Sequence, residues 1–137
     1  VLYLTDRSGR VLLLKRGPDL VTCPNTWSIV GEHRYRDENP RETVRRGLNE
    51  ELGESVWKHN VEEVRNLTET PLYYFRAYGP SNGNRVDRQL TYLWEVKLSE
   101  HNGDDIQLNL DHEVAYHMWI PLDDLEKWIE GDGSGEA

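Results

Sequence analysis

One predicted helix has both of its ends and its buried face marked in the sequence, so it restricts the possible folds more than any other segment. Asn39, followed by Pro40 and three residues on by Glu42, combines a capping side chain, a preset φ at the first helical position and a reciprocal acidic cap. Gly53 marks the end of the helix. Apolar residues four positions apart predict a buried stripe, made of Val44, Leu48 and Leu52.

Strand signals lie on both sides of this helix. Two apolar runs, 1–4 and 11–14, flank a turn-rich break and predict a β-hairpin. Segments rich in Tyr, Trp, Val and Leu predict three further strands, at 71–78, 89–98 and 114–120. A second helix is predicted by apolar residues at helical spacing, namely Leu122, Leu125, Trp128 and Ile129. We therefore expect an α/β (α+β) fold in which these strands form a mixed sheet.

Length and composition predict one ordinary globular domain. The chain has 137 residues, of which 36% are hydrophobic and 30% charged, so we expect a single domain over 1–130 and a flexible acidic tail over 131–137. Cys23 is the single cysteine, which excludes an internal disulfide and a multi-cysteine zinc site. No apolar run is long enough for a membrane helix and no signal region is present, so we expect a cytoplasmic protein without a membrane partner.

The charge is unevenly distributed. Residues 1–98 carry 15 Lys and Arg against 14 Asp and Glu, whereas residues 99–137 carry one lysine against 11 acids, and the net charge is −9. No cluster of Lys and Arg is dense enough for a duplex-binding stripe, so a nucleic-acid polymer is not an expected partner. The sequence does not indicate an oligomeric state.

Glu50 and Glu51 lie within the predicted helix, and Arg46 stands one turn before Glu50, away from the apolar stripe. Neighbouring carboxylates repel each other, but they are the ligands that hard dications such as Mg²⁺ and Mn²⁺ prefer. The pair therefore indicates either a metal site or a solvated helix face.

The residues around this pair resemble the signature box of the Nudix hydrolase superfamily. The matching positions stand in register and are Glu38, Arg46, Leu48, Glu50, Glu51 and Gly53, with Gly31 just before the box. Two positions depart from the family's pattern, because Glu32 replaces the opening glycine and Gly47 replaces a glutamate. The resemblance covers roughly residues 1–130 and implies an α/β/α sandwich that holds the box as loop–helix–loop.

In that family the box glutamates hold metals against a diphosphate. The resemblance therefore implies that Glu50 and Glu51 bind Mg²⁺ or Mn²⁺, with the backbone carbonyl of Gly31 as a further ligand. Glycine at position 47 can neither bind metal nor act as a base, and three outcomes remain open: one metal suffices, another acid substitutes, or hydrolysis has been lost. The best substitute is Glu113, in a late acidic loop like one that many members use for a ligand or base.

We therefore predict a Mg²⁺-dependent pyrophosphohydrolase in which Glu50, Glu51 and Glu113 are catalytic. Its substrate would be a small diphosphate-linked molecule, foremost a nucleoside diphosphate derivative. The predicted substrate contacts are Arg16 at a strand end, His33 in the loop of the box, and Tyr74 as an aromatic ring.

Two alternatives stay open. The first is a catalytically impaired Nudix-fold domain with a ligand-binding or regulatory role. The second is a relative of isopentenyl-diphosphate isomerase, because Glu32 and His33 stand where that subgroup has Gly-His. Against it, the isomerase cysteine follows the tryptophan-bearing strand, whereas Cys23 precedes Trp27.

Overall fold

The structure is a computed structural model that describes residues 1–20, 24–31, 37–68 and 70–131. Within these ranges the strands are β1 Leu2–Thr5, β2 Arg10–Arg16, β3 Trp27–Ser28, β4 Val61–Asn66, β5 Leu72–Ala77, β6 Val86–Thr91, β7 Trp94–Leu98 and β8 Val114–Pro121. The α-helices are α1 Pro40–Leu52 and α2 Leu122–Gly131, and a short π-helix, Val56–Asn60, precedes β4. Two short 3₁₀ turns occupy Pro80–Asn82 and Gly103–Asp105.

The principal sheet is mixed, as predicted. Its six strands follow the order β3-β2-β1-β7-β4, and β8 pairs with β2. β1 runs parallel to β7, whereas β1 and β2 form the predicted antiparallel hairpin. β8 pairs antiparallel with the whole of β2, so the last strand of the chain lies beside the second.

One helix packs on each face of this sheet, so the predicted sandwich is confirmed. Side chains alternate along β2. Leu12 and Leu14 point to the face covered by α1, whose stripe of Val44, Leu48 and Leu52 is fully buried among them. Val11 and Leu13 point to the opposite face, where Leu125 of α2 packs against them.

The ends of α1 follow the local sequence. The Asn39 side chain accepts a hydrogen bond from the Glu42 N–H at 2.9 Å, and the Glu42 carboxylate accepts one from the Asn39 N–H at 3.4 Å. These reciprocal bonds form the predicted capping box. At the other end the Gly53 N–H donates to the Asn49 carbonyl at 3.2 Å, which confirms the predicted stop.

The prediction of one strand over 89–98 is wrong. The chain leaves β6 at Thr91 and enters β7 at Trp94, and the two strands lie in different sheets. β5 and β6 pair only with each other among the described strands, so neither belongs to the mixed sheet that was predicted to include 71–78. The apolar pattern runs through the break without a Gly or Pro, so it carries no local turn signal.

β4 was missed. Its six residues, VEEVRN, form an edge of the principal sheet next to β7, and most of them are exposed. Charged residues are a common means of protecting an edge strand, and they remove the apolar alternation by which a strand is recognised.

The second predicted helix is confirmed by α2, which ends at Gly131. Residues 132–137 of the predicted tail lie outside the described residues, as do the side chains of Trp128 and Ile129. In the part of the chain that the structure describes, no helix has the length and apolarity needed to cross a membrane.

Candidate active site

The loop that precedes β8 is fastened to the end of α1. The Asn109 N–H donates to the Leu52 carbonyl at 2.8 Å. Gly53 permits this contact, because a Cβ at its position would lie 2.9 Å from the Asn109 Cβ, closer than real Cβ atoms approach. Its φ of +94° also belongs to the region that favours glycine. The box glycine therefore sets the distance between α1 and the loop.

The same loop is fastened to the end of β2. The Gly17 N–H donates to the Glu113 carbonyl at 3.0 Å, and Arg16 pairs with Val114 in the sheet. Within the loop the Asp111 side chain accepts a hydrogen bond from the Glu113 N–H at 2.9 Å. These contacts hold Asp111 and Glu113 between the end of β2 and the end of α1.

Three carboxylates consequently act on that of Glu51 beside α1. Burial raises the pKa of the partly buried Glu51, and the charges of Asp111, Glu50 and Glu113 raise it further, in that order. The Arg16 guanidinium opposes this shift. The structure thus brings together four of the predicted site residues, Glu50, Glu51, Glu113 and Arg16.

Asp111 was not predicted as a site residue. The available signal was its place two residues before Glu113, because Asp side chains commonly accept a hydrogen bond from the backbone two residues on and so shape a turn. Among the charges that raise the pKa of Glu51, that of Asp111 has the largest effect, and only the effect of burial is larger.

Arg46 holds two of the box acids, Glu38 and Glu50. Its Nε and Nη2 donate to the two carboxylate oxygens of Glu38 at 2.7 and 2.9 Å. Its Nη1 donates to Glu50 at 3.1 Å, so the expected ion pair between Arg46 and Glu50 is present. Arg46 and Glu38 are mostly buried, whereas the Glu50 side chain is 53% exposed. The fixed Arg46–Glu38 pair therefore orients a Glu50 carboxylate that can still reach a ligand.

Within the described ranges, no group of three or more His, Cys, Asp or Glu side chains is arranged so that it could coordinate a metal ion by itself. Mg²⁺ does not need such a group, because it binds through one or two carboxylates and keeps waters and substrate phosphates as its other ligands. Glu50 and Glu51 supply that number of carboxylates. A dication would also relieve the repulsion that raises the pKa of Glu51, so the donor set fits Mg²⁺ or Mn²⁺ bound together with a phosphate.

Gly47 lies among the buried residues of α1, so a glutamate there would need space and a charge partner inside the protein. Gly31 is exposed at the end of a described segment, and no atom of the described residues lies within 4 Å of the position that a Cβ would take there. Predicted site residue His33, together with Glu32 and Cys23, lies outside the described residues. Tyr74 belongs to β5, in the two-stranded sheet, and its side chain is also outside the description.

Sequence reasoning also missed an aromatic row on the α2 face of the principal sheet. Lys15 pairs with Trp27 of β3 on one side and with Tyr116 of β8 on the other. Its ammonium lies 5.7 Å from the centre of the Trp27 ring and 6.0 Å from that of Tyr116. Lys15 directly precedes Arg16, so this row of two rings and a cation begins at the strand end that carries the acidic site.

Comparison with solved structures supports the fold. DR0079 from Deinococcus radiodurans matches with a TM-score of 0.61 at 16% identity, over 96% of this chain and 70% of that one. The NUDIX domain of Shewanella oneidensis NrtR, complexed with ADP ribose, matches with 0.61 at 17% identity, over 92% and 73%. A C. elegans Ap4A hydrolase matches with 0.56 at 19% identity, over 98% and 87%. No curated protein sequence matches significantly.

The family model described as NUDIX domain matches residues 1–135, almost the whole chain. This match agrees with the helical box, with the sandwich around the mixed sheet and with the solved structures of the same fold. The chain therefore belongs to the Nudix family.

Proposed function

We propose that the protein is a Mg²⁺- or Mn²⁺-dependent pyrophosphohydrolase that cleaves a small diphosphate-linked substrate. The observation that carries this proposal is the loop anchored to both α1 and β2, which puts the charges of Asp111 and Glu113 within electrostatic reach of Glu51. A solvated helix face would not require acids from a separate loop. An acidic cluster beside Arg16 suits a dication together with a phosphate.

In this proposal each site residue has a separate role in binding the metal or the phosphate. Glu50 and Glu51 hold the metal with the carbonyl of Gly31, and the metal, when bound, polarises the phosphate oxygens. Arg46 keeps Glu50 in place through its ion pair. Arg16 neutralises phosphate charge from the end of β2.

Water activation falls to Glu113, because Gly47 leaves no carboxylate at that position of α1. Glu113 is exposed, and its backbone is fixed by the bonds to Gly17 and Asp111, so its carboxylate can accept the proton of an attacking water. Asp111 contributes negative charge beside it, which favours metal binding.

The preferred substrate class is a nucleoside diphosphate derivative. Proteins of similar structure include a NUDIX domain complexed with ADP ribose, an Ap4A hydrolase and a dihydroneopterin triphosphate pyrophosphohydrolase, and these three compounds all join phosphates to a heterocyclic group. The row of Trp27, Lys15 and Tyr116 offers this chain a flat surface with a positive charge, suited to a ring and its phosphates. Contacts from His33 and Tyr74 remain part of the proposal.

The test is to incubate the protein with these three compounds, with and without Mg²⁺, and to measure the release of phosphate-containing products. We expect metal-dependent turnover that falls at least 100-fold in Glu51→Gln and in Glu113→Gln. Glu54→Gln, which removes an exposed acid just beyond α1, is the matched control and should keep wild-type activity. Turnover that survives Glu51→Gln would refute the proposal.

The buried Gly47 favours a second candidate, a Nudix-fold domain that binds such a ligand without cleaving it. In that case the compounds raise the melting temperature in a metal-dependent way, and no product forms in any condition. The same binding should disappear in Glu51→Gln, which distinguishes a retained site from an unrelated one.

A further inference from the structure

The two-stranded ribbon formed by β5 and β6 exposes an apolar face. Cross-strand partners on this face are Tyr73 with Leu90, Phe75 with Arg88 and Ala77 with Val86. The large apolar members are far from buried: Tyr73 is 65% exposed, Leu90 66%, Phe75 51% and Val86 47%. Apolar side chains of this size rarely share one exposed surface in a protein that has no partner for them.

The ribbon is also poorly supported on its own. β5 and β6 pair with each other and with no further described strand, so each strand has one unpaired edge. A two-stranded ribbon in water is only marginally stable, and packing against another layer is the usual remedy. An additional layer on the exposed face would therefore both bury apolar surface and support the ribbon.

We propose that this face packs against the same face of a second copy of the chain. The two copies are related by a two-fold axis that lies between the faces and runs parallel to the strands. This axis places β5 of one copy over β6 of the other and keeps the cross-strand pairs of the two copies at the same level. Tyr73 then meets Leu90, Phe75 meets Arg88 and Ala77 meets Val86 of the second copy. Each of these contacts joins two different side chains, so the face is complementary to itself.

The charged member of the face fits this arrangement. Within one chain the Arg88 guanidinium already lies 5.8 Å from the centre of the Phe75 ring. The two-fold axis brings the second copy's Phe75 ring against Arg88, so each guanidinium lies between two rings and away from its own symmetry mate. A cation over aromatic rings is stabilised when water is excluded from it.

The area suits a dimer of modest affinity. The four exposed apolar side chains offer roughly 400 Å² per chain, from typical areas for aromatic and aliphatic side chains. Two copies would bury about 800 Å² from these side chains alone, below the roughly 1,600 Å² of a standard interface. Interfaces below the standard size are typical of weak, transient association, so we expect the dimer to form only as the concentration rises from low micromolar to millimolar.

The test is sedimentation of the full chain from low micromolar to millimolar concentration. Wild type should shift from monomer to dimer, whereas Leu90→Asp should remain a monomer throughout. Leu72→Asp is the matched control, because Leu72 is 58% exposed on the same ribbon but its place in the strand register puts it on the opposite face. Leu72→Asp should dimerise within about threefold of wild type. Circular dichroism of each variant verifies folding.

A mixing experiment tests the register. Tyr73→Lys should be monomeric alone, as should Leu90→Asp, but a one-to-one mixture should regain a dimer, because the axis places the new lysine over the new aspartate. Wild type that stays monomeric at millimolar concentration would overturn the proposal, including the case in which another protein covers this face. Equal loss of dimer in Leu72→Asp and Leu90→Asp, or no recovery on mixing, would also overturn it.

Discussion

Replacing Gly53 with alanine tests the contact that joins α1 to the loop of the candidate site. The backbone of Gly53, at φ 94° and ψ 155°, is nearly exclusive to glycine, and another residue there costs about 1–3 kcal/mol. The new Cβ would also lie 2.9 Å from the Asn109 Cβ, which forces the loop outward and adds about 1–3 kcal/mol. We expect a total loss of roughly 2–6 kcal/mol in the free energy of unfolding.

Urea unfolding followed by circular dichroism measures this loss, and Gly9→Ala separates its two causes. Gly9 has a φ of +85° with nothing within 4 Å of a new Cβ, so its substitution adds strain without a clash. Gly53→Ala should lose more stability than Gly9→Ala and should bind Mg²⁺ more weakly, because the Asn109 loop carries Asp111. Equal losses in the two variants, together with unchanged Mg²⁺ binding, would refute the reasoning.

Three further perturbations have expected outcomes. Asn39→Ala removes the side chain that caps the Glu42 N–H, and should lower the free energy of unfolding by about 1 kcal/mol in urea titrations. Burial alone would raise the pKa of Asp6, but hydrogen bonds from Ser8, Arg10 and Gly103 outweigh it and hold that pKa below its ordinary value. Asp6 therefore stabilises the protein above the ordinary aspartate pKa and loses this contribution as the pH falls through the lowered value, so Asp6→Asn should flatten the acid limb of stability against pH. Glu51 has the opposite sign: its raised pKa makes the ionised form costly above the ordinary glutamate pKa, so Glu51→Gln should unfold at higher temperature than wild type at neutral pH without metal and should show no further rise with Mg²⁺. A metal-free Glu51→Gln protein that melts below wild type would contradict this assignment.

The parts of the site that could be predicted from the sequence alone are those held by local interactions. The capping box joins residues three apart, and the stripe and the Arg46–Glu50 pair join residues one helical turn apart. Such contacts depend only on helical geometry. The boundaries of α1 and its polar face with Glu50 could therefore be predicted without knowledge of any other part of the chain.

The convergence of Asp111 with Glu51 could not be predicted in this way. It depends on the bonds from Asn109 to Leu52 and from Gly17 to Glu113, which close long stretches of chain. The spacing of residues along the chain does not predict which distant segments meet, because many different pairings are compatible with the same local sequence signals. For the same reason the row of Trp27, Lys15 and Tyr116 emerges only when β3 and β8 are placed on either side of β2.

The two helices, the hairpin and the Nudix-type box on α1 can be read from the sequence alone, because each rests on spacings of a few residues. Three features emerge only in the folded chain: β6 and β7 separate into two sheets, the ribbon exposes an apolar face, and the charges of the loop acids act on Glu51. The physical reason is that a strand signal specifies an extended, apolar segment but not its neighbour, and the neighbour is chosen by packing of the whole chain.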